Sequence, residues 1–387
     1  MLTITRPIDT TPVAVAGGLS LIGLLYLGLA YSWTHGALFL VGLFAGLVLY
    51  HAAFGFTSSW RAMIADRRGE GLRAQMIMLA LTCAVFIPLI AMGQVLGHPV
   101  RGSLAPVGLS VAVGAFLFGV GMQLGGGCAS GTLYTSGGGN VRMLVTLVSF
   151  IAGSVLGVLH APAWEHAPAL GAFSLIGSFG SGGALVVSLV LFTAVSLLSY
   201  NAERRRYGAK VQFLSWQDSP GWLRGPWPIV AGAIGLAVVN IATLVLAGRP
   251  WGVTSAFALW GSKALAATGV DVASWPYWQT RSAELRTPVF GDITTIMDIG
   301  IMLGALAAAG LAGRFAPSWR VPMRSLVAAV VGGLLLGYGA RIAYGCNIGA
   351  YFSGIASTSL HGWLWFVAAF AGNAVGTRLR PAFGMRV

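Results

Sequence analysis

Long apolar runs alternate with short polar segments along most of the chain. A helix that crosses the roughly 30 Å hydrocarbon layer of a membrane needs about 20 predominantly apolar residues. That rule predicts ten membrane-spanning helices, near residues 12–32, 37–54, 74–96, 105–124, 141–160, 181–200, 228–248, 292–313, 325–343 and 360–378. The predicted fold class is therefore an all-α polytopic membrane protein.

The composition supports this class and excludes an ordinary soluble domain. The chain is 56% hydrophobic and 9% charged, whereas about 25% of the residues in a soluble domain are charged. Its 56 glycines suit helices that approach each other closely in a membrane. The net charge of +13 would suggest nucleic acid in a soluble chain, but the basic residues lie between apolar segments. The bilayer, and no nucleic acid, is the predicted partner.

The basic residues are distributed unevenly between the two sets of alternate loops. With ten spans, one side of the membrane receives only Arg101, Arg249, Lys263, Arg281, Arg286 and Arg341. The rest of the 23 lysines and arginines fall on the other side. Cytoplasmic loops carry the excess of Lys and Arg, so both termini are predicted to lie in the cytoplasm. Losing or gaining one span would remove this asymmetry.

Two stretches of the chain share one pattern of glycine and cysteine. Residues 114–131 read GAFLFGVGMQLGGGCASG, and residues 332–349 read GGLLLGYGARIAYGCNIG. With Cys128 aligned on Cys346, the two stretches share further residues without a gap, namely Gly114/Gly332, Leu117/Leu335, Gly119/Gly337, Gly121/Gly339, Gly127/Gly345 and Gly131/Gly349. Two of the chain's three cysteines therefore occupy equivalent positions in a duplicated motif.

A second duplication divides the chain into two halves. Residues 55–60 read GFTSSW and residues 252–257 read GVTSAF, and each precedes a segment too short to cross the membrane again. Each half has five spans, so the second half must enter the membrane from the side opposite to the first. The sequence predicts two five-span inverted repeats, each with short re-entrant helix-loop elements, as in many secondary transporters. The predicted boundaries are 1–200, which takes in spans 1–5 and the start of the span 6 region, and 227–387, with a basic cytoplasmic linker at 201–226.

The glycine-rich motifs carry the candidate chemistry. Irregular backbone at membrane depth is tolerated only where it is buried in protein or lines a cavity. We therefore expect Cys346 near the outside and Cys128 near the cytoplasm, on two re-entrant elements that approach each other. A broken helix offers N–H groups to an anion, and a thiol adds a weak S–H donor. The candidate path also includes Gly127, Gly131, Gly345, Gly349, Asn347, Arg341, Thr57, Ser58, Thr254 and Ser255.

Each of these candidates has an alternative, purely structural interpretation. A cysteine in a membrane helix is often small apolar filler, which is the interpretation favoured for Cys83, whereas the duplication favours a role for Cys128 and Cys346. Asp298 is an intramembrane carboxylate and hence a functional candidate. It could equally lie near a helix end, satisfied by backbone or by Arg341, and Arg341 could simply extend to the membrane surface.

The chain has no C-x-x-C pair, no metal-ligand spacing and no nucleotide or hydrolase motif. No disulfide framework, metal, cofactor or enzymatic activity is predicted from it.

Three stretches carry a resemblance to a known family. These are GYGARIAYGCNIGAYFSGIASTSLHGW at 337–363, GDITTIMDIG upstream of it, and GGGCASG in the first half. They resemble the YeeE/YedE family of sulfur-transport membrane proteins, strongly over 325–378 and fairly over 50–160. At Gly55 this chain has glycine where some members have a cysteine, which leaves two thiols in the duplicated elements; Cys83 is the third thiol of the chain.

The resemblance implies two pseudo-symmetric halves and uptake of thiosulfate, with Cys346 as the outer and Cys128 as the inner thiol along the path. It also implies a small cytoplasmic sulfur-carrier partner of the TusA type. The leading hypothesis is a bacterial inner-membrane transporter for thiosulfate or a related small sulfur-containing anion. The alternatives are a membrane thiol oxidoreductase and a sulfur-transfer subunit that works with a soluble sulfur carrier.

Overall fold

The computed structural model describes residues 7–214 and 221–386. Within them the chain is mainly helical, and its α-helices are α1 Thr10–Ala30, α2 Trp33–His51, α3 Phe56–Asp66, α4 Glu70–Met92, α5 Leu109–Gly125, α6 Ala129–Gly137, α7 Val141–Glu165, α8 Leu175–Tyr207, α9 Ile229–Ala247, α10 Thr254–Ala267, α11 Pro276–Gln279, α12 Ser282–Arg286, α13 Ile293–Leu311, α14 Met323–Ile342, α15 Ser353–Ala356 and α16 Leu360–Leu379. A π-helix, Asn347–Phe352, precedes α15. Short 3₁₀ segments lie at Val272–Ser274, Val289–Gly291 and Arg380–Phe383.

Nine helical stretches in the described ranges are long and apolar enough to cross a membrane. Three of them are long helices continued by a short one: α2 with α3, α5 with α6, and α14 through the π-helix to α15. The tenth predicted span, 360–378, coincides with α16, a helix of 20 residues that is not among the nine. Its polar His361, Asn373 and Arg378 lower the hydropathy of that helix. The chain is a polytopic, all-α membrane protein, as the apolar runs predict.

The predicted spans differ most from the structure at α8, which extends beyond 181–200 in both directions. The helix continues through Arg204, Arg205 and Arg206, where the apolar run has already ended. The linker predicted at 201–226 therefore begins inside α8, and its residues 215–220 lie outside the described residues.

Two small antiparallel sheets were not predicted. Gln94–Val95 (β1) pairs with His98–Pro99 (β2), and Pro106–Gly108 (β3) pairs with Ala169–Ala172 (β4). Strands of two to four residues are too short to show an alternating pattern.

The duplicated glycines hold four helices together. A Cβ at Gly114 of α5 would lie 2.7 Å from the carbonyl oxygen of Gly339 in α14, and a Cβ at Gly121 would lie 2.8 Å from that of Gly332. Gly119 and Gly337, which are equivalent in the two halves, lie just as close to other helices. A Cβ at Gly119 would meet the Ala369 carbonyl in α16, and a Cβ at Gly337 would meet the Phe150 carbonyl in α7. These glycines allow backbones to approach closely, which is how helices associate within lipid.

The contacts between helices occur in matched pairs across the two halves. The packing of α5 on α16 corresponds to that of α14 on α7, and the packing of α2 on α13 corresponds to that of α9 on α4. Likewise, the short helix α3 lies against α16, and α10 lies against α7. Two related halves would produce this pairing, while their opposite orientation in a membrane stays a prediction.

We expect Gly119→Leu to separate α16 from α5 and to destabilise the protein, because the new side chain would meet the Ala369 backbone. Overpacking of this kind costs about 1–3 kcal/mol. Detergent-solubilised protein should therefore melt several degrees lower when followed by fluorescence-detected size exclusion. The matched control is Gly18→Leu in α1, where an added Cβ meets nothing within 4 Å. Equal melting of the two variants would contradict the role of Gly119.

Candidate functional site

Cys128 lies where the α5–α6 stretch is broken. Helix α5 ends at Gly125, and Gly126 has φ +89°, a left-handed conformation that favours glycine. Cys128 then caps the N-terminus of α6, and its Sγ accepts a hydrogen bond from the backbone N–H of Gly131 at 3.4 Å. The hydroxyl of Ser130 lies 3.5 Å from the same sulfur. The side chain is 1% exposed, so the thiol is held inside the protein.

Cys346 occupies the equivalent break after α14. Gly345 precedes it with φ +148°, and Cys346 caps the π-helix, where its Sγ accepts from the N–H of Ile348 at 3.4 Å. The Cys346 carbonyl accepts from Tyr351 N–H five residues later, at 3.3 Å. Such π-turns are rare and are frequent at functional sites. This thiol is also 1% exposed.

The fold brings the two breaks to one interior region. Helix α6 contacts the π-helix directly, and α6 also packs against α13. Cys128 and Asp298 of α13 both lie near the Cys346 side chain. Two thiols and one carboxyl group therefore face the same part of the core.

A cleft of about 240 Å³ opens beside the Cys346 loop, on the side that the charge pattern predicts to face outward. Three arginines from different loops and helices line it, Arg101, Arg249 and Arg341. None of them forms an ion pair within the described chain. Thr254, Ser255, Gly345 and Gly349 complete the wall next to Cys346. Converging guanidinium groups without carboxylate partners make a site for a small anion.

Of the hydroxyl-bearing residues predicted along the path, Thr254 and Ser255 line this cleft, whereas Thr57 and Ser58 lie at the start of α3. Ser255 donates to the Thr294 hydroxyl at 3.1 Å, which also accepts from Arg249 at 3.1 Å. Thr57 is buried at the start of α3, and its hydroxyl has no partner among the residues that the structure describes. Ser58, which follows it, is exposed and donates to the Gly55 carbonyl at 3.1 Å.

Cys83 lies apart from the other two cysteines. Its Sγ is 3.8 Å from the carbonyl oxygen of Ile355 and 4.0 Å from that of Ala356, at the end of α15. It therefore contacts the end of the short element that begins at Cys346.

Asp298 and Asn347 are buried polar residues whose side chains have no hydrogen-bond partner in the described ranges. Both are 0% exposed, and neither the carboxylate oxygens of Asp298 nor the amide atoms of Asn347 have a hydrogen-bond partner in the described part of the chain. The alternative in which Arg341 or the backbone satisfies Asp298 is wrong. Arg341 lines the cleft and lies over the ring of Tyr277, 5.4 Å from its centroid.

A second group of arginines, which the sequence interpretation missed, surrounds the loop before Cys128. Arg142 donates to the carbonyls of Leu124 at 2.6 Å and Gly125 at 2.7 Å. Arg380 donates to the Gln123 carbonyl at 2.8 Å, and Arg61 lies 3.4 Å from the Gln123 side-chain oxygen.

Burial, with the positive charges of Arg61 and Arg142, lowers the pKa of Arg380 to about 10. The sequence interpretation assigned these three arginines to topology alone. A local signal was present at the C-terminal end of α5, where the last carbonyl groups have no partner within the helix and attract positively charged side chains.

This fold and site define a polytopic membrane protein with broken helices next to a cationic cleft, an arrangement typical of transporters. The chain belongs to the sulphur-transport family, whose model matches residues 51–375. The resemblance to the YeeE/YedE family is thereby confirmed.

Curated relatives fall into two groups. Over 179 residues the chain is 32% identical to the "Probable transporter YedE" of Escherichia coli (strain K12). This match covers 45% of the present chain and 44% of that relative. The chain thus matches less than half the length of this relative. It is 28% identical over 346 residues to the "Thiosulfate transporter TsuA" of Spirochaeta thermophila, covering 86% of this chain and 95% of the relative. It is 23% identical over 349 residues to the protein of that name in Escherichia coli (strain K12), covering 86% and 90%.

Because all three thiols are buried, we expect each to react with a charged aromatic disulfide reagent at least about tenfold more slowly than an exposed thiol. After unfolding in SDS all three should react at once. A Ser274→Cys variant supplies the exposed reference, on the loop that the charge pattern predicts to lie outside. Fast reaction of any native thiol in the folded protein would show that the site is open to bulk reagent.

Proposed function

We propose that this protein imports thiosulfate, or a related small sulfur-containing anion, across a bacterial inner membrane. The observation that carries the proposal is the cleft in which Arg101, Arg249 and Arg341 converge next to the Cys346 loop. The anion would enter there, pass Cys346 and then Cys128, and leave beside the inner arginines. The names of the full-length relatives support the choice of substrate.

The chemistry of the path suits this class of ion. Guanidinium groups and free N–H groups bind the oxygen atoms of an oxyanion. A thiol offers a polarizable sulfur and a weak donor. Placed deeper than the arginines, the two thiols would meet the sulfur end of the ion after its oxygens have lost water. Thr254 and Ser255 would donate at the entrance, and Thr57 and Ser58 would do so in the other half.

The orientation of the halves is part of the same proposal. Inverted repeats bounded at 1–200 and 227–387 would give each side of the membrane one short-helix element and one cysteine element. The matched helix contacts support this arrangement. Both termini would then be cytoplasmic, and a TusA-like sulfur carrier would receive the product at the inner arginines.

The thiol oxidoreductase alternative receives no support from the site. Redox catalysis through cysteine needs an accessible, activated thiol with a resolving partner. All three cysteines are free and buried, and Cys83 lies at the far end of the Cys346 element.

Import of a dianion also requires an energy source. Each negative charge moved inward against a potential of 100 mV costs about 2.3 kcal/mol, so two charges cost roughly 5 kcal/mol. Passive entry would leave the ion excluded from the cell.

Replacing either thiol of the path should abolish most uptake. In cells without other sulfate and thiosulfate permeases, we expect Cys128→Ala and Cys346→Ala to lower the initial rate of labelled thiosulfate uptake at least about tenfold. Cys83→Ala is the matched control, because it removes a buried thiol outside the path, and it should keep most of the rate. Parental uptake by both path variants would refute a role for the thiols.

The outer arginines should determine the apparent affinity. We expect Arg249→Gln and Arg341→Gln each to raise KM for thiosulfate several-fold with a smaller change in maximal rate, because they act on capture of the ion. Added salt should weaken uptake by the parent more than by the variants. Arg286→Gln, an exposed change on the same side, should leave KM unchanged. If it raises KM equally, general surface charge is responsible instead.

A further inference from the structure

Asp298 lies on the face of α13 that follows the proposed path. Residues four apart share a helix face, so Thr294, Asp298 and Met302 form one line. Thr294 lies at its outer end, where its hydroxyl accepts from Arg249 and Ser255 of the cleft. The Met302 carbonyl lies at its inner end, against Gly137 of α6, the helix that Cys128 caps. Asp298 therefore lies between the entrance and the inner cysteine element.

The position is an unusual one for a carboxyl group. It is fully buried, both oxygens have no partner among the described residues, and it lies near the Cys346 thiol. Asn347, whose amide also has no partner in the part of the chain that the structure describes, lies next to Cys346 in the sequence. An isolated carboxylate in such surroundings is strongly disfavoured, so the group takes up a proton instead. Arrival of an anion would favour protonation further by like-charge repulsion.

The charged and titratable groups of the surrounding elements do not neutralise it. Asp292, at the start of the same helix, acts on Asp298 with the same sign of charge. Lys263 of α10 donates to the Leu285 carbonyl. The remaining groups on the elements that contact α13, or at their caps, are Asp9, Tyr26, Tyr31, His35, Tyr50, His51, Cys128 and Tyr134. None of these forms a hydrogen bond or ion pair with Asp298 in the described ranges.

We propose that Asp298 binds the proton that accompanies the sulfur anion inward, which makes the protein a proton–anion symporter. The inference rests on the proposed function. Asp298 takes this proton from the outer side before the anion arrives and holds it while the anion passes Cys346. It releases that proton to the cytoplasmic side after the anion has moved towards the inner arginines. One dianion and one proton enter in each cycle, so the inward charge movement falls from two negative charges to one.

A proton fits this site better than a metal cation does. Hard cations such as Ca²⁺ and Mg²⁺ need about six oxygen ligands, and the described residues contain no cluster of three or more His, Cys, Asp or Glu that could hold a metal ion. A single carboxyl group is sufficient for a proton.

The test uses the whole protein in liposomes that contain a pH-sensitive dye, with the membrane potential clamped by potassium and valinomycin. Labelled thiosulfate is added outside, and uptake and internal pH are followed together. We expect internal acidification in step with uptake. We also expect accumulation to rise about tenfold for each unit by which the outside is more acidic. Replacing sodium with choline should change neither.

Asp298→Asn keeps the size and hydrogen-bonding capacity of the side chain but cannot titrate. We expect it to carry thiosulfate down a gradient without acidification and without a response to imposed pH. Asp298→Glu should retain both responses, and Glu284→Gln, on the exposed outer loop, is the matched control.

The outcomes separate the two proposals. Absence of thiosulfate uptake by the parent would refute the proposed function itself. Uptake by the parent without acidification, dependence on sodium, or coupled uptake by Asp298→Asn would each overturn proton coupling alone. Even if Asp298→Asn fails to fold, the parental measurement can still overturn proton coupling, and loss of both responses in a folded Asp298→Glu variant would count against Asp298 as the proton-binding group.

Discussion

The structure depends on one constraint, that backbone N–H and C=O groups cannot be left without partners inside a membrane. Two long stretches break at glycine-rich turns before Cys128 and Cys346, which frees such groups in the interior. The close approach of α5 to α14, with α16 and α7 behind them, encloses both breaks in protein. The duplicated glycines make that approach possible. The glycines therefore allow the close helix packing that encloses the broken backbone at the two cysteines.

Much of this fold follows from the sequence because each relevant signal is local. A run of some 20 apolar residues is long and specific, so ten helices were located to within a few residues apart from the ends of α8. The duplicated glycines and cysteines also identified both breaks. The small sheets and the π-helix were not predictable, since their formation depends on tertiary contacts rather than on periodicity.

The site itself was only partly predictable. Arg341, Thr254, Ser255, Gly345 and Gly349 do line one cleft. Arg101 and Arg249 join them from other loops, and positive charges in loops carry a topological meaning that conceals any role in binding. The same holds for Arg61, Arg142 and Arg380 at the other end. Residues that are distant in the chain come together through the packing of the helices, and no short stretch of sequence shows which of them will meet.

The distribution of charge along the proposed path would allow an ion both to enter and to leave. Arginines lie at both ends, while the middle holds neutral groups: thiols, hydroxyls and amides. Conduction requires binding strong enough for entry and weak enough for release, and a further guanidinium between the two cysteines would hold a dianion too tightly. A buried carboxyl group there has the opposite effect when ionised. Since protonation removes its repulsion, the charge state of Asp298 would, in the proposed symport, decide whether the anion is admitted or excluded.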